Sequence, residues 1–518
     1  MTRRPVLGAL IGTAALALTA LTAAPALAHG DQEGDLPTNT RGLAVAEAGT
    51  GEEMSLVANL QYNDSGSVQN GSDVEFLKVG EKEYALAGTL REGLQIIDIT
   101  DPEAPFVAAV YDCAISQGDI QVWKHVGRIL ASYTADGTFG AAGAASRCGR
   151  DLDLGSDASG TIIVDLTTPT SPQTVSYLYV PRGSHNMTIH PSGQYLYNSN
   201  SDLLTSTSPT ITIYDVSQPE QPRKVQDYPI PFVPLSLGSE SHDITFNADG
   251  SRAYSAALSQ TLILDTTDPE NPAQVGQIID PTINVAHQSD PVTLTREDGT
   301  QRDVLVITDE RAGAAASAEC PGGGLHLYDI TGDLEANPAK IGTWFIPAAT
   351  VQDGSTCTSH VLRIYPEQEM LTIAWYAQGV RVLDISGLAD FEGSPVAVGL
   401  GDGVGMKEVG NYVLEDSDTW SFKTNRIAAD GSFYGYGNDL VRGFDVYEFS
   451  GAGLSVPPLE PVDLGTSAST GKGKSGGKGK GKNMAPAASM DEGQDPSSDK
   501  PPGTLLLDHR GRWLPRAR

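Results

Sequence analysis

Residues 261–280 read TLILDTTDPENPAQVGQIID. A short apolar strand ends in Asp265, a turn stiffened by two prolines follows, and a second strand leaves. Nearly the same sentence recurs along the chain: LQIIDITDPEAPFVAAVYD (94–112), TIIVDLTTPTSPQTVSYLYV (161–180), ITIYDVSQPEQPRKVQDYPI (211–230), LHLYDITGDLEANPAKIGTWFI (325–346), VRVLDISGLADFEGSPVAVGL (380–400) and VRGFDVYEF (441–449). The anchoring residues are Asp98, Asp165, Asp215, Asp265, Asp329, Asp384 and Asp445, spaced 50 to 67 residues apart. Self-similarity at such a period, with strands in every unit, marks a repeat array.

Each unit is preceded by a hairpin, as in SHNMTIHPSGQYLYNSN (184–200) and SHDITFNADGSRAYSAAL (241–258). Ser-Gly and Asp-Gly supply the tight turns. A unit is therefore four antiparallel strands: A, turn, B, loop, C ending in Asp, Pro-rich turn, D. Four-stranded sheets repeated radially make a β-propeller. The fold class expected is all-β, a seven-bladed propeller. The strand MSLVANLQY (54–62) stands alone before blade 1, while the last blade lacks a D strand. It is expected to pair into blade 7 and close the ring, which removes an exposed edge. The repeated Asp is expected to be scaffold, its carboxylate accepting backbone N–H bonds at the turn.

The ΦxΦΦDΦ(S/T)xPxxP unit, where Φ is apolar, resembles the LVIVD repeat of secreted bacterial propeller proteins. HPSGQYLYNSN is similar to blades of the YVTN and lactonase-type propellers. The resemblance covers roughly residues 54–450. It implies a scaffold rather than an activity, so function has to come from a site.

The ends of the chain differ from its middle. Residues 1–28 have a basic start, an apolar Ala/Leu core and an Ala-Leu-Ala end, the features of a secretory signal peptide. Thr2-Arg3-Arg4-Pro5-Val6-Leu7 also resembles a twin-arginine export signal. The expected organisation is a signal peptide (1–28), a leader (29–53), the propeller (54–455) and a disordered Gly/Lys/Ser/Pro-rich tail (456–518). No other run is long and apolar enough to span a bilayer. The net charge of −31 excludes nucleic acid and anionic lipid as natural partners. A secreted monomer is expected, whose ligand is an extracellular protein, a glycan or a small molecule.

Four cysteines in an exported protein make two disulfides the default. Cys113 lies in the D-to-A connection after blade 1 and Cys148 in the B–C loop of blade 2; Cys320 lies in the B–C loop of blade 5 and Cys357 in the D-to-A connection after it. Those two kinds of connection emerge on one face, so the expected pairs are Cys113–Cys148 and Cys320–Cys357.

Inner A strands line the channel, and their first residues ring its mouth on that same face. Blades 3 to 6 place His185, His242, His287 and His360 there, four of the nine histidines of the chain. B–C loops add carboxylates, Glu310 foremost. Converging imidazoles suit a transition metal, Cu or Zn first, with a carboxylate completing the shell. The lactonase resemblance and the acidic stretch Asp151 to Asp157 make Ca the alternative. An imidazole beginning an inner strand can equally hydrogen-bond the next blade. Two functions therefore stand: a secreted binding or scaffold propeller acting through its loop-rich face, or a metal-dependent oxidoreductase or hydrolase (a lactonase among them) using the histidines. Within residues 54–455, GxSxG, HExxH, P-loop and dinucleotide fingerprints are absent.

Overall fold

The computed structural model describes residues 49–63, 68–311, 320–347 and 356–465. The signal peptide, nearly all of the expected leader and most of the expected tail lie outside these residues. Among them, Thr261–Asp265 is a strand whose alternate side chains serve two different cores. Leu262 and Leu264 pack with Ile211 and Ile213 of the preceding blade, and Ile263 packs with Leu305 and Ile307 of the next. Ile96 and Ile97 divide in the same way between neighbours on either side. A strand buried on both faces reads as a continuous apolar run rather than an alternating one, as in Leu-Ile-Leu. Each such side chain contributes about 1.5–3 kcal/mol.

Seven four-stranded antiparallel blades result. Their inner strands are Gly71–Val79, Gln117–His125, Ser184–Ile189, Asp243–Phe246, Ala286–Thr295, Leu362–Tyr365 and Thr419–Lys423. The seventh blade is built from both ends of the domain. Met54–Leu60 pairs antiparallel with Gly443–Phe449, and Asn59 Nδ2 donates to Asp445 Oδ1 at 2.8 Å. The ring is closed as expected.

Six of the seven repeat aspartates make the expected turn. The carboxylates of Asp98, Asp165, Asp215, Asp265, Asp329 and Asp384 each accept the backbone N–H two residues on, at 2.8–3.0 Å. The second oxygen of five of the six takes a further partner that the repeat alignment did not reveal. Lys82, Arg128, Arg252 and Arg302 on the B strands, and Arg223 on a D strand, reach across to five of them. Asp445 departs from the pattern: it is fully buried and holds Asn59 and Arg442 instead.

Blade 6 corrects one detail of the alignment. The apolar stretch after its Pro turn is not its outer strand. Val398–Leu400 pairs parallel with Ala339–Phe345 of blade 5, and its Val398 and Leu400 stay exposed. The outer strand of blade 6 is Met406–Val413, which is longer and buries Met406. Thr50–Glu52, inside the stretch expected to be leader, adds beyond it. At the other end, ordered chain continues through 456–465 on the face opposite the histidines. Leu459 bridges to Ile427 of blade 7, Asp463 bridges to Lys78 of blade 1, and Lys124 Nζ of blade 2 donates to the Leu464 carbonyl at 2.7 Å. Both disulfides join the expected pairs, Cys113–Cys148 and Cys320–Cys357, with Cα atoms 5.2 and 5.4 Å apart.

Candidate metal centre

The four A-strand histidines meet. His185 Nε2 lies 3.1 Å from His242 Nε2, and ring centroids step 4.3 Å from His242 to His287 and 4.2 Å from His287 to His360. The local backbone explains why they turn inward. The A–B pairing of blades 3 and 5 shifts register between Ser184 and Asn186 and between Ala286 and Gln288, so His185 and His287 are the extra residues of β-bulges. A bulge re-aims a side chain that regular alternation would send into the sheet stack. Trp420 occupies the same bulge position in blade 7, and its ring packs 4.6 Å from that of His360.

Glu310, the first residue of the blade 5 B–C loop, faces the row. Its carboxylate oxygens lie 4.0 Å from His242 Nε2, 3.9 Å from His287 Nε2 and 3.8 Å from His360 Nε2. Ligands about 2.0–2.1 Å from a tetrahedral ion sit about 3.4 Å apart; one ligand atom from each of His242, His287 and Glu310 lies within 4.8 Å of the others, while His360 faces the other carboxylate oxygen. All the histidines are nearly buried, while Glu310 keeps 23% of its side-chain exposure. One side of the centre is therefore open to the loop-rich face.

Protonation favours ligation. Burial pushes His242 and His287 well below the ordinary imidazole range, and the neighbouring imidazoles push the same way. Burial lowers His360 too, opposed by the Glu310 carboxylate. His185 is the exception: burial disfavours its charge, but the Asp136 carboxylate 2.9 Å from Nδ1 outweighs it and holds the group above its usual value. Neutral imidazole is the form that binds metal. Three neutral rings around one carboxylate leave a net negative centre that a cation would balance.

The outer contacts suit the same role. His185 Nδ1 is held by Asp136, and His360 Nδ1 donates to the Trp420 carbonyl at 2.6 Å, which points each Nε2 towards the cluster. Metal-binding histidines are oriented by such partners. His287 is 3% exposed, its Nδ1 has no hydrogen-bond partner among the described residues, and its Nε2 is too far from Glu310 for a hydrogen bond. His242 Nδ1 is likewise unpartnered, so these two rings lack the outer contact that orients His185 and His360. Tyr376 donates to Glu310 Oε1 at 2.7 Å from a left-handed backbone (φ 45°), a costly conformation for an aromatic residue.

Other acidic residues on this face are engaged elsewhere. Asp202 pairs with Arg182, Asp309 accepts the N–H groups of Asn284 and Val285, and Asp439 caps Asp418 and Thr419. Asp73 and Asp119, at the bulge positions of blades 1 and 2, lie deeper. Asp73 holds Lys423 at 2.6 Å, and Asp119 accepts the Met187 N–H at 3.0 Å. Asp151, in the stretch considered for Ca, is taken by Arg147 and Thr174. Asp136 and Tyr376 escaped the sequence reading. Asp136, inside strand B of blade 2 (Arg128–Thr138), comes one residue after the last A–B pair there, as Glu310 does in blade 5, a correspondence that could have exposed it; Tyr376 carries no such signal.

Fold and site together define a seven-bladed β-propeller with a histidine–carboxylate cluster at one end of its channel. The chain is similar in fold to a periplasmic gluconolactonase of Pseudomonas aeruginosa, at 11% identity and a TM-score of 0.46, covering 74% of this chain and 98% of that one. It is also similar to the β-propeller domain of Cps50 (Swd1) from Myceliophteria thermophila, at 9% identity and a TM-score of 0.43, covering 73% and 96%. A protein from Lactobacillus plantarum matches at 10% identity and a TM-score of 0.41, covering 75% and 97%. No family model and no curated protein matches the sequence. Among the described residues no helix is long and apolar enough to cross a membrane.

Proposed function

We propose that this propeller is a secreted metal-dependent enzyme that holds a divalent transition metal, Cu or Zn first, on His242, His287, His360 and Glu310. His185, braced by Asp136, stands beside them as a further donor. The observation that carries the reading is the convergence of three imidazole Nε2 atoms, from three blades, within 3.8–4.0 Å of one carboxylate. Packing alone asks for no such arrangement, and the bulge that turns His287 into it weakens the local ladder.

A bound ion would supply Lewis acidity towards a small substrate. The chain's own residues supply the rest. Tyr376 holds the Glu310 carboxylate in place, Asp136 fixes the His185 ring, and the Trp420 carbonyl fixes His360. The half-open Glu310 side leaves room for a substrate to approach, as catalytic rather than structural sites do.

Elemental analysis of the purified protein is expected to give one metal ion per chain. In His242→Ala the metal should be lost while the circular dichroism spectrum stays unchanged, since this side chain lines the channel end and not a blade core. A metal-free wild type, or a variant that keeps its metal, would return the protein to the reading of a binding scaffold.

A further inference from the structure

The loop-rich face carries a second feature beside the centre. The connections between blades 3 and 4 and between blades 4 and 5, with Arg311 and Phe345, enclose a groove of about 690 Å³. Small-molecule sites span ~300–1,000 Å³. Its lining is mixed, with an apolar side formed by Val233, Leu235, Leu237, Ile279, Ile283 and Phe345. Leu235 is 106% exposed and Ile279 58%, in a chain with a net charge of −31. Exposed apolar side chains gathered on one rim mark a binding surface.

Among the described residues that line the groove, one cation has no ion-pair partner. Asp280 is neutralised by Lys340 at 2.6 Å and by the Tyr328 hydroxyl at 2.5 Å. Asp309 is taken by two backbone N–H groups, and His326 Nε2 lies 3.7 Å from its other oxygen. Arg311 uses its backbone N–H on Thr358, and its guanidinium has no ion-pair partner among the described residues. The groove also adjoins the metal centre through three consecutive residues. Asp309 and Arg311 line the groove, while Glu310 between them faces the histidines. Extended chain turns successive side chains to opposite sides.

We propose that this groove binds the substrate of the centre, and that the substrate is an organic carboxylate with an apolar body. The aliphatic or aromatic part lies along Val233, Leu235 and Ile279, and the carboxylate pairs with Arg311, which sets the molecule beside Glu310. Guanidinium–carboxylate pairs are strong and directional, so the head group rather than the apolar body fixes the orientation. What happens to the ligand there rests on the metal-centre reading; the binding itself does not.

Decanoate titrated calorimetrically into the full chain, with metal and after chelation, tests this. Saturable one-site binding is expected in both states, with decanol at least about tenfold weaker because it lacks the charge. Arg311→Gln should bring decanoate down to the decanol value, and Leu235→Asp should weaken both; Leu235 is fully exposed, so that change spares the fold. No saturable decanoate binding, equal binding of acid and alcohol by the wild type, or indifference to either substitution overturns the proposal. Metal content of the untreated, as-purified protein separates the two failures: a protein that binds decanoate but carries no metal and takes none up sinks the centre and keeps the groove.

Discussion

His242 and His287 sit where burial and neighbouring imidazoles hold their protons off. The sign follows directly. A proton competes with metal for the ring nitrogen, so a ring whose affinity for protons is depressed keeps its metal to lower pH. Three ordinary imidazoles with pKa about 6.5 would cost roughly a thousandfold in affinity between pH 7.5 and 5.5. Here the loss should be far smaller, with His185, whose proton Asp136 retains, the first to drop out. Competition titrations against a chelator of known affinity at those two pH values would show it. A full thousandfold fall would mean that the rings titrate like exposed ones. The positions of these histidines were legible because they occupy one phase of the repeat. That they point inward was not, because a bulge inserts a residue that a strand pattern cannot count. Tyr376 was illegible for a related reason: its left-handed backbone is set by the turn around it and not by its own identity.

Among the elements, the strand Met54–Leu60 has the most consequence for stability, since it fills the fourth place in a blade whose other three strands lie nearly 400 residues away, as the 386-residue separation of Asn59 and Asp445 shows. Without it, Gly443–Phe449 would present an open edge. A chain starting after residue 61 should aggregate, or unfold at markedly lower denaturant than the full chain; an unchanged midpoint would show that closure is dispensable. Asn59→Ala is the milder case. It removes hydrogen bonds to Asp445 and to the Arg442 carbonyl inside the blade and should cost about 1–2 kcal/mol in denaturant titrations. The pairing was foreseeable from a strand without partners at one end and a blade short of a strand at the other. The outer strand of blade 6 was not. VAVGL matches the repeat in composition, and only tertiary pairing shows that blade 5 recruits Val398–Leu400.

For the whole molecule, the repeat aspartates supplied the number of blades and the direction of each connection, and that sufficed to pair the cysteines. The ion pairs from Lys82, Arg128, Arg252 and Arg302 to those aspartates stayed hidden, because the basic residue sits on a strand whose register the turn alone does not fix. The two disulfides close spans of 35 and 37 residues. Each should stabilise by roughly 3–4 kcal/mol through the unfolded chain. Replacing both cysteines of either pair by serine should lower the unfolding midpoint, with the Cys320–Cys357 pair also changing metal content because it ties down the loop that begins at Glu310. If the metal content of that variant matched the wild type, the loop would be held by other contacts.

Ring closure also has a meaning in time. Residues 54–60 leave the ribosome hundreds of residues before their partner strand exists, and during that interval their backbone groups have nothing of their own blade to pair with. Chains add at ~5–20 residues per second, so the wait lasts on the order of tens of seconds. Six blades can assemble in the order they are made. The seventh makes a strand synthesised before all six of the other blades the last to be placed, and completion of the fold is thereby tied to synthesis of the strand Gly443–Phe449.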